Sequence, residues 1–190
     1  MTYLDECKRA MTWLGKQKNT FFMGQTVKYP GSPMFGSLEK VPEKKKLELP
    51  LIEDDQMGMS IGMSMNGMIP ISIYPRIDFL ICAINQLVNH LDKIDKMSEG
   101  EFKPGVIIRT QVGNTEPIWP GLQHCGDYRL GLDCMLKNIK AIKIYDAEDV
   151  LPAYKKAYKN AKKGISVILV EMPQGGSENN FHKVKTEGKK

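Results

Sequence analysis

A glutamate stands where two unlike segments meet. Leu49-Pro-Leu-Ile-Glu53 is an apolar run ending in a carboxylate, and Asp54-Asp-Gln-Met-Gly-Met-Ser-Ile-Gly-Met-Ser-Met-Asn-Gly67 follows it. No charged residue occurs from Gln56 to Ile73. The pattern predicts a short strand running into Glu53, then a helix of glycine, serine and methionine capped by Asp54 or Asp55. Lacking a charged face, that helix should be buried. A carboxylate at the mouth of a buried helix is costly unless something pairs with it, which makes Glu53 the first candidate for chemistry. The same acid also fits a plain helix N-terminal carboxylate or a solvated Glu-Asp-Asp run. His124 is the second candidate. It lies in a loop with Pro117, Pro120 and Gly121, a setting that presents side chains. A histidine there can anchor a carboxylate or carbonyl, or move protons; an ordinary surface histidine is the alternative. His90 reads as a surface or interface residue on a helix, and His182 as inert in the tail.

The whole chain bounds these options. Its 190 residues suit one domain with a full core. With 42% hydrophobic and 26% charged residues the composition is that of a soluble globular protein. No apolar run approaches the roughly 20 residues of a membrane helix, and Met1-Thr-Tyr-Leu-Asp-Glu has no basic-then-apolar export pattern. Cys7, Cys82, Cys125 and Cys134 are scattered without a Cys-x-x-Cys pair, which predicts reduced packing thiols of a cytoplasmic protein and no zinc site. The net charge of +5 gathers at Lys40–Lys46 and Lys183–Lys190. No aromatic residues interleave those runs, so nucleic-acid binding is not expected.

The elements that must hold Glu53 and His124 follow from periodicity. Helices are expected over Tyr3–Lys16, from Glu53 to Gly67, over Ile77–Lys96, Arg129–Leu136 and Ala147–Lys163. In the longest, Phe79, Leu80, Ala83, Ile84, Leu87, Val88 and Leu91 form the apolar stripe. Strands are expected over Thr20–Gly24, Leu47–Ile52, Met68–Tyr74, Gly105–Thr110, Ile139–Tyr145 and Ile165–Glu171. Loops fill Gln25–Lys46 and Gln111–Tyr128. Val106-Ile-Ile and Val167-Ile-Leu-Val are apolar on both faces, as covered parallel strands are. The fold class is therefore α/β: three layers, a mainly parallel twisted sheet with helices on both faces. In such sheets ligands sit beyond the carboxyl ends of strands, where Glu53, Pro75–Phe79 and Gln111–Tyr128 should gather. Residues 1–172 form the domain, and 173–190 a polar tail expected to be disordered.

An ordered series of motifs resembles the pyrimidine-binding domain of thiamine-diphosphate-dependent enzymes of the transketolase and 2-oxo acid dehydrogenase group. The likeness is greatest to the amino-terminal half of the dehydrogenase β subunit. Phe21-Phe-Met-Gly-Gln-Thr-Val27 stands where that family has a strand ending Gly-Glu-(Asp/Glu)-Val. Leu49-Pro-Leu-Ile-Glu53 is similar to its Thr-Pro-(Ile/Leu)-x-Glu. A glycine-rich helix, a strand and Asp78-Phe79 follow in order. Ala83-Ile-Asn-Gln-Leu-Val-Asn89 resembles Ala-x-Asp-Gln-(Ile/Leu)-x-Asn, Ile108-Arg-Thr-Gln-Val-Gly113 resembles Ile-Arg-x-Pro-x-Gly, and Leu122-Gln-His124 carries the family's Gln-His.

The resemblance implies roles. Glu53 matches the glutamate that hydrogen-bonds the aminopyrimidine ring and favours its imino tautomer. Phe79 matches the aromatic residue that stacks on the pyrimidine, although core packing explains it equally. Leu51 matches a position able to touch the same ring, with plain strand packing as the alternative. His124 matches the substrate-facing histidine. Gln25-Thr26 departs from the family's acids, which puts in doubt a proton relay through that point. Pro75-Arg76 also departs; Arg76 either meets an anionic substrate or is an ordinary surface arginine. The Gly-Asp-Gly motif with a following asparagine, which holds the diphosphate through magnesium, is absent: Gly126-Asp-Tyr128 is not one. The β subunit's carboxyl-terminal domain is absent as well. The implied protein is one subunit of a split enzyme. Thiamine diphosphate and Mg2+ would lie against a diphosphate-binding partner chain, in a heterotetramer with two of each. It would act on a small carbonyl substrate, cleaving or transferring a C–C-bonded unit in the manner of a 2-oxo acid dehydrogenase or decarboxylase. The alternatives are transketolase-like ketol transfer and a non-catalytic assembly subunit that keeps the fold.

Overall fold

The computed structural model describes residues 2–113 and 120–173. Pro117, His182 and the tail beyond Pro173 lie outside the described residues. Six strands form one sheet: β1 (Thr20–Gly24), β2 (Lys46–Glu48), β3 (Ile69–Ile73), β4 (Ile107–Gln111), β5 (Lys140–Ile144) and β6 (Val167–Glu171). Their order is β2-β1-β3-β4-β6-β5, and every pairing is parallel. All carboxyl ends therefore lie along one edge. Pro70 sits inside β3, a strand with neighbours on both sides. In the alternation of a parallel ladder its nitrogen faces β4, one residue before that pairing begins at Ile71↔Ile107. The missing N–H thus breaks no ladder bond.

Helices cover both faces. On one lie α1 (Tyr3–Gly15) and α7 (Ala147–Ala161), packing Cys7, Ala10, Met11, Leu14, Val150 and Tyr154 against Phe22, Ile71, Ile107 and Leu169. Thr2 and Asp5 start α1 with a reciprocal capping box. On the other face α3 (Glu53–Met65), the segment 77–97 and α6 (Arg129–Met135) pack Met57, Leu80, Leu87 and Leu132 onto Val106, Ile108 and Ile168. The three-layer α/β expectation holds.

Several local expectations are corrected. The strand before Glu53 ends at Glu48 rather than Ile52. Leu49 N–H still reaches Gly24 O at 2.9 Å, but Pro50 has no donor with which to continue. The 25–46 segment contains a short helix, α2 (Pro33–Ser37), and a 3-10 turn at Glu43–Lys45. Neither Asp54 nor Asp55 caps α3: Glu53 is its first residue and Ile52 the uncapped N-cap. Asp54 Oδ1 instead accepts the Gln86 N–H at 3.2 Å. The continuous helix expected over 77–96 is α4 (Ile77–Leu80), a 3-10 turn (Ile81–Ala83), a π turn (Gln86–Leu91) and α5 (Ile94–Met97). The π turn begins at Gln86, the residue whose N–H Asp54 takes, an insertion into the helical ladder of the kind that widens a turn. Nor is α3 buried all round. Gln56, Met57, Ser60 and Ile61 are buried, but Met59 and Met65 are 40% and 43% exposed, so an uncharged face meets solvent.

β4 and β6 are joined at their carboxyl ends by a buried ion pair that apolar patterning does not reveal. Arg109 Nε donates to Glu171 Oε1 at 2.8 Å and Nη2 to Oε2 at 3.0 Å; Arg109 Nη1 reaches Ser37 Oγ at 2.7 Å, and Tyr154 OH reaches Glu171 Oε1 at 2.6 Å. Arg109 is 1% and Glu171 2% exposed. Among the described residues no helix is long and apolar enough to cross a membrane.

Candidate active site

Glu53 is half-buried at the first position of α3, where β2 has just ended at the carboxyl edge of the sheet. One carboxylate oxygen is occupied: Gln25 Nε2 donates to Glu53 Oε1 at 2.8 Å. The other, Oε2, has no partner among the described residues. Tyr74, buried at the end of β3, donates its hydroxyl to the Glu53 backbone carbonyl at 3.2 Å, and burial holds its phenol above the ordinary range. The helix N-terminus favours a carboxylate at this place.

Gln25 reaches Glu53 because two residues shape its turn. Gly24 has φ 142°, and a Cβ there would lie 2.2 Å from the Ile73 carbonyl oxygen, so no other side chain fits. Glu48 then accepts three successive backbone N–H groups: Thr26 on Oε1 at 2.7 Å, and Val27 and Lys28 on Oε2 at 2.7 and 2.6 Å. This clamp holds Thr26 at φ 54°, a strained conformation for a β-branched residue. Sequence reasoning missed Glu48, whose partners lie some 20 residues upstream with no local spacing to mark them.

A second cluster forms beyond β3 and β4. His124 and Phe79 meet edge to face, ring centroids 5.6 Å apart. Arg76 Nη1 donates to the His124 carbonyl at 2.8 Å, and Asp78 Oδ1 accepts the Gly126 N–H at 3.0 Å. Gly113, just past β4, permits this closeness: a Cβ would lie 1.9 Å from the His124 carbonyl oxygen and 2.1 Å from Arg76 Nη1. Burial raises the Asp78 carboxyl above its ordinary value. Arg76 is therefore a strap on the His124 loop, a role in neither alternative considered for it.

The structure thus joins Phe79 with His124, and Glu53 with Gln25, in two clusters along one edge of the sheet; no hydrogen bond links the clusters among the described residues. Leu51 is 78% exposed, so it is not strand packing. His90 is exposed on the π turn. Glu53 Oε2, the half-buried Phe79 ring and the exposed Leu51 side chain all follow strand ends along this one edge of the sheet.

The fold is that of the transketolase-type thiamine-diphosphate enzymes. A split-gene transketolase, solved as an inactive β4 tetramer, superposes over 93% of this chain and 52% of its own, with TM-score 0.68 and 17% identity. In sequence the chain is in turn similar to 2-oxo acid dehydrogenase β subunits. It is 25% identical to the 2-oxoisovalerate dehydrogenase β subunit of Bacillus subtilis over a 210-residue alignment, covering 99% of this chain and 61% of that one. It is 28% identical to the pyruvate dehydrogenase E1 β subunit of Cyanidium caldarium, covering 76% and 44%. The chain thus spans about 61% and 44% of the lengths of these two relatives. No family model matches it.

Proposed function

We propose that this chain is the pyrimidine-binding subunit of a split thiamine-diphosphate-dependent enzyme, active only with a diphosphate-binding partner chain. The observation that carries this reading is Glu53, seated at the carboxyl edge of a parallel sheet with one oxygen held by Gln25 and the other without a partner among the described residues. Glu53 Oε2 accepts a hydrogen bond from the pyrimidine ring, Phe79 offers it an aromatic surface and Leu51 an apolar one. Phe79 stacking of this kind contributes about 0.5–1.5 kcal/mol beyond area burial. When bound, thiamine diphosphate supplies the electron sink for cleaving a bond next to a carbonyl. His124 orients the substrate or moves a proton through its ring.

The reaction class we favour is 2-oxo acid dehydrogenase or decarboxylase chemistry, because the sequence relatives are β subunits of that class. Ketol transfer is the second reading, supported by the transketolase fold neighbour. We infer that Mg2+ is held by the partner chain, in a heterotetramer with two of each chain; the lack of a Gly-Asp-Gly motif in these 190 residues supports the reading. The four scattered cysteines support the cytoplasm as its compartment.

The test is calorimetric titration of thiamine diphosphate and Mg2+ into this chain, alone and mixed with a candidate diphosphate-binding chain. Binding is expected only in the mixture. Glu53→Gln should weaken it about 10- to 150-fold, the loss of one hydrogen bond to a charged group at about 1.5–3 kcal/mol. Unchanged affinity and activity in Glu53→Gln would turn the reading towards an assembly subunit.

A further inference from the structure

Two polar atoms near His124 are left over once its described contacts are counted. His124 Nδ1 is buried with no hydrogen-bond partner, and so is Asp78 Oδ2. They belong to two segments already strapped together, by Arg76 Nη1 on the His124 carbonyl and by Asp78 Oδ1 on the Gly126 N–H. The Phe79 edge fixes the plane of the imidazole. A buried polar atom without a partner costs about 1–3 kcal/mol, and here two such atoms belong to segments held together by the same two hydrogen bonds. Nδ1 can donate, and an ionised carboxylate oxygen can accept, so each offers what the other lacks. The remaining ring nitrogen, Nε2, has no partner among the described residues and is not buried.

We propose that Asp78 is the positioning residue of His124: its Oδ2 takes the Nδ1–H, and Nε2 is thereby left as the unprotonated nitrogen that meets the substrate. The two atoms do not touch in this structure. Closing this hydrogen bond satisfies both atoms at once, so we place it in the free chain as well. The role is distinct from the structural one, because Oδ1 alone holds Gly126. It rests on the reading of His124 as the substrate-facing histidine.

Asp78→Asn separates the two roles. The amide oxygen still accepts from Gly126, while an NH2 group replaces Oδ2 and donates where the carboxylate accepted. His124 should then exchange tautomers, with its proton moving to Nε2 and the outward nitrogen becoming a donor. The measurement is 15N spectroscopy of the neutral histidines in the full chain labelled at the imidazole nitrogens. The three histidines are told apart by replacing His90 and His182 with Gln in turn. The expected result is an Nδ1–H tautomer for His124 in the unaltered chain and a predominantly Nε2–H tautomer in Asp78→Asn, with the Gly126 amide resonance unmoved. An Nε2–H tautomer in the unaltered chain overturns the proposal even if the variant does not fold; so does a tautomer that Asp78→Asn leaves alone. The nitrogen signals require neither cofactor nor partner. Failure of the thiamine reading would therefore appear in the calorimetry, and failure of this proposal in the spectrum.

Discussion

Replacing Glu171 by Gln removes one charge from the least hydrated part of the molecule and little else. Gln has nearly the same shape, and its carbonyl oxygen can keep the Tyr154 and Arg109 Nε bonds now at 2.6 and 2.8 Å. Its NH2 group must then face Arg109 Nη2, where a carboxylate oxygen now accepts at 3.0 Å. Arg109 cannot shed its proton, and at 1% exposure it cannot reach water. Breaking a buried pair on one side costs about 3–5 kcal/mol, out of a total of about 5–15 kcal/mol for an ordinary domain. With a urea slope of about 2 kcal/mol per molar, the unfolding midpoint should fall by about 1.5–2.5 M. Urea titration followed by circular dichroism and tryptophan fluorescence reads this directly. Arg109→Met combined with Glu171→Leu should be less damaging than Glu171→Gln alone, since it leaves no unpaired charge. A midpoint shift under about 0.5 M, or about 1 kcal/mol, would refute the reasoning, as would a double variant weaker than the single one.

Glu48→Ala should destabilise the chain by about 3 kcal/mol, as three backbone donors lose a charged acceptor. Hydrogen exchange should quicken at Thr26, Val27 and Lys28, and cofactor affinity in the assembled enzyme should fall as Gln25 loses its seat beside Glu53. The cysteines should divide by burial. Cys82 and Cys134 are exposed, so a thiol reagent at neutral pH should label them in the native chain; Cys7 is 3% exposed, with its thiol pushed up by burial and then by the nearby Glu171, so it should react only after unfolding. Native-state labelling of Cys7 at the rate of Cys82 would contradict the packing of α1.

The strands at 20–24, 69–73, 107–111 and 167–171 were legible because each contains or begins in a short apolar stretch, as covered parallel strands do. What escaped depends on contacts distant in sequence. Pro50 shortens β2 by withholding a donor. Asp54 looks like a cap but spends its carboxylate on Gln86. A charge-free stretch reads as buried, yet α3 shows one uncharged face to solvent. The candidate site divides in the same way. Glu53, Phe79 and His124 could be named from residue type and order, whereas Glu48, Arg76 and Asp78 act on backbone groups of other segments and carry no periodic signature. Gln25 was visible only as a departure from an acidic pattern; its bond to Glu53 emerged from the fold.

The uneven helix between Ile77 and Met97 works as a change of gear. A 3-10 turn advances three residues per revolution and a π turn more than four. Placed in succession, they leave Leu80, Ala83, Leu87 and Leu91 aligned on the core, spaced three, four and four. The narrow and the wide turn offset one another over the length of the segment, so the inner row keeps the spacing of a regular helix face. Phe79 stands in α4, ahead of both irregular turns and beside Leu80 of the inner row, and meets His124. Removing one residue from 86–91 would take Leu91 off the inner row, so the wide turn is what keeps Leu91 on the core.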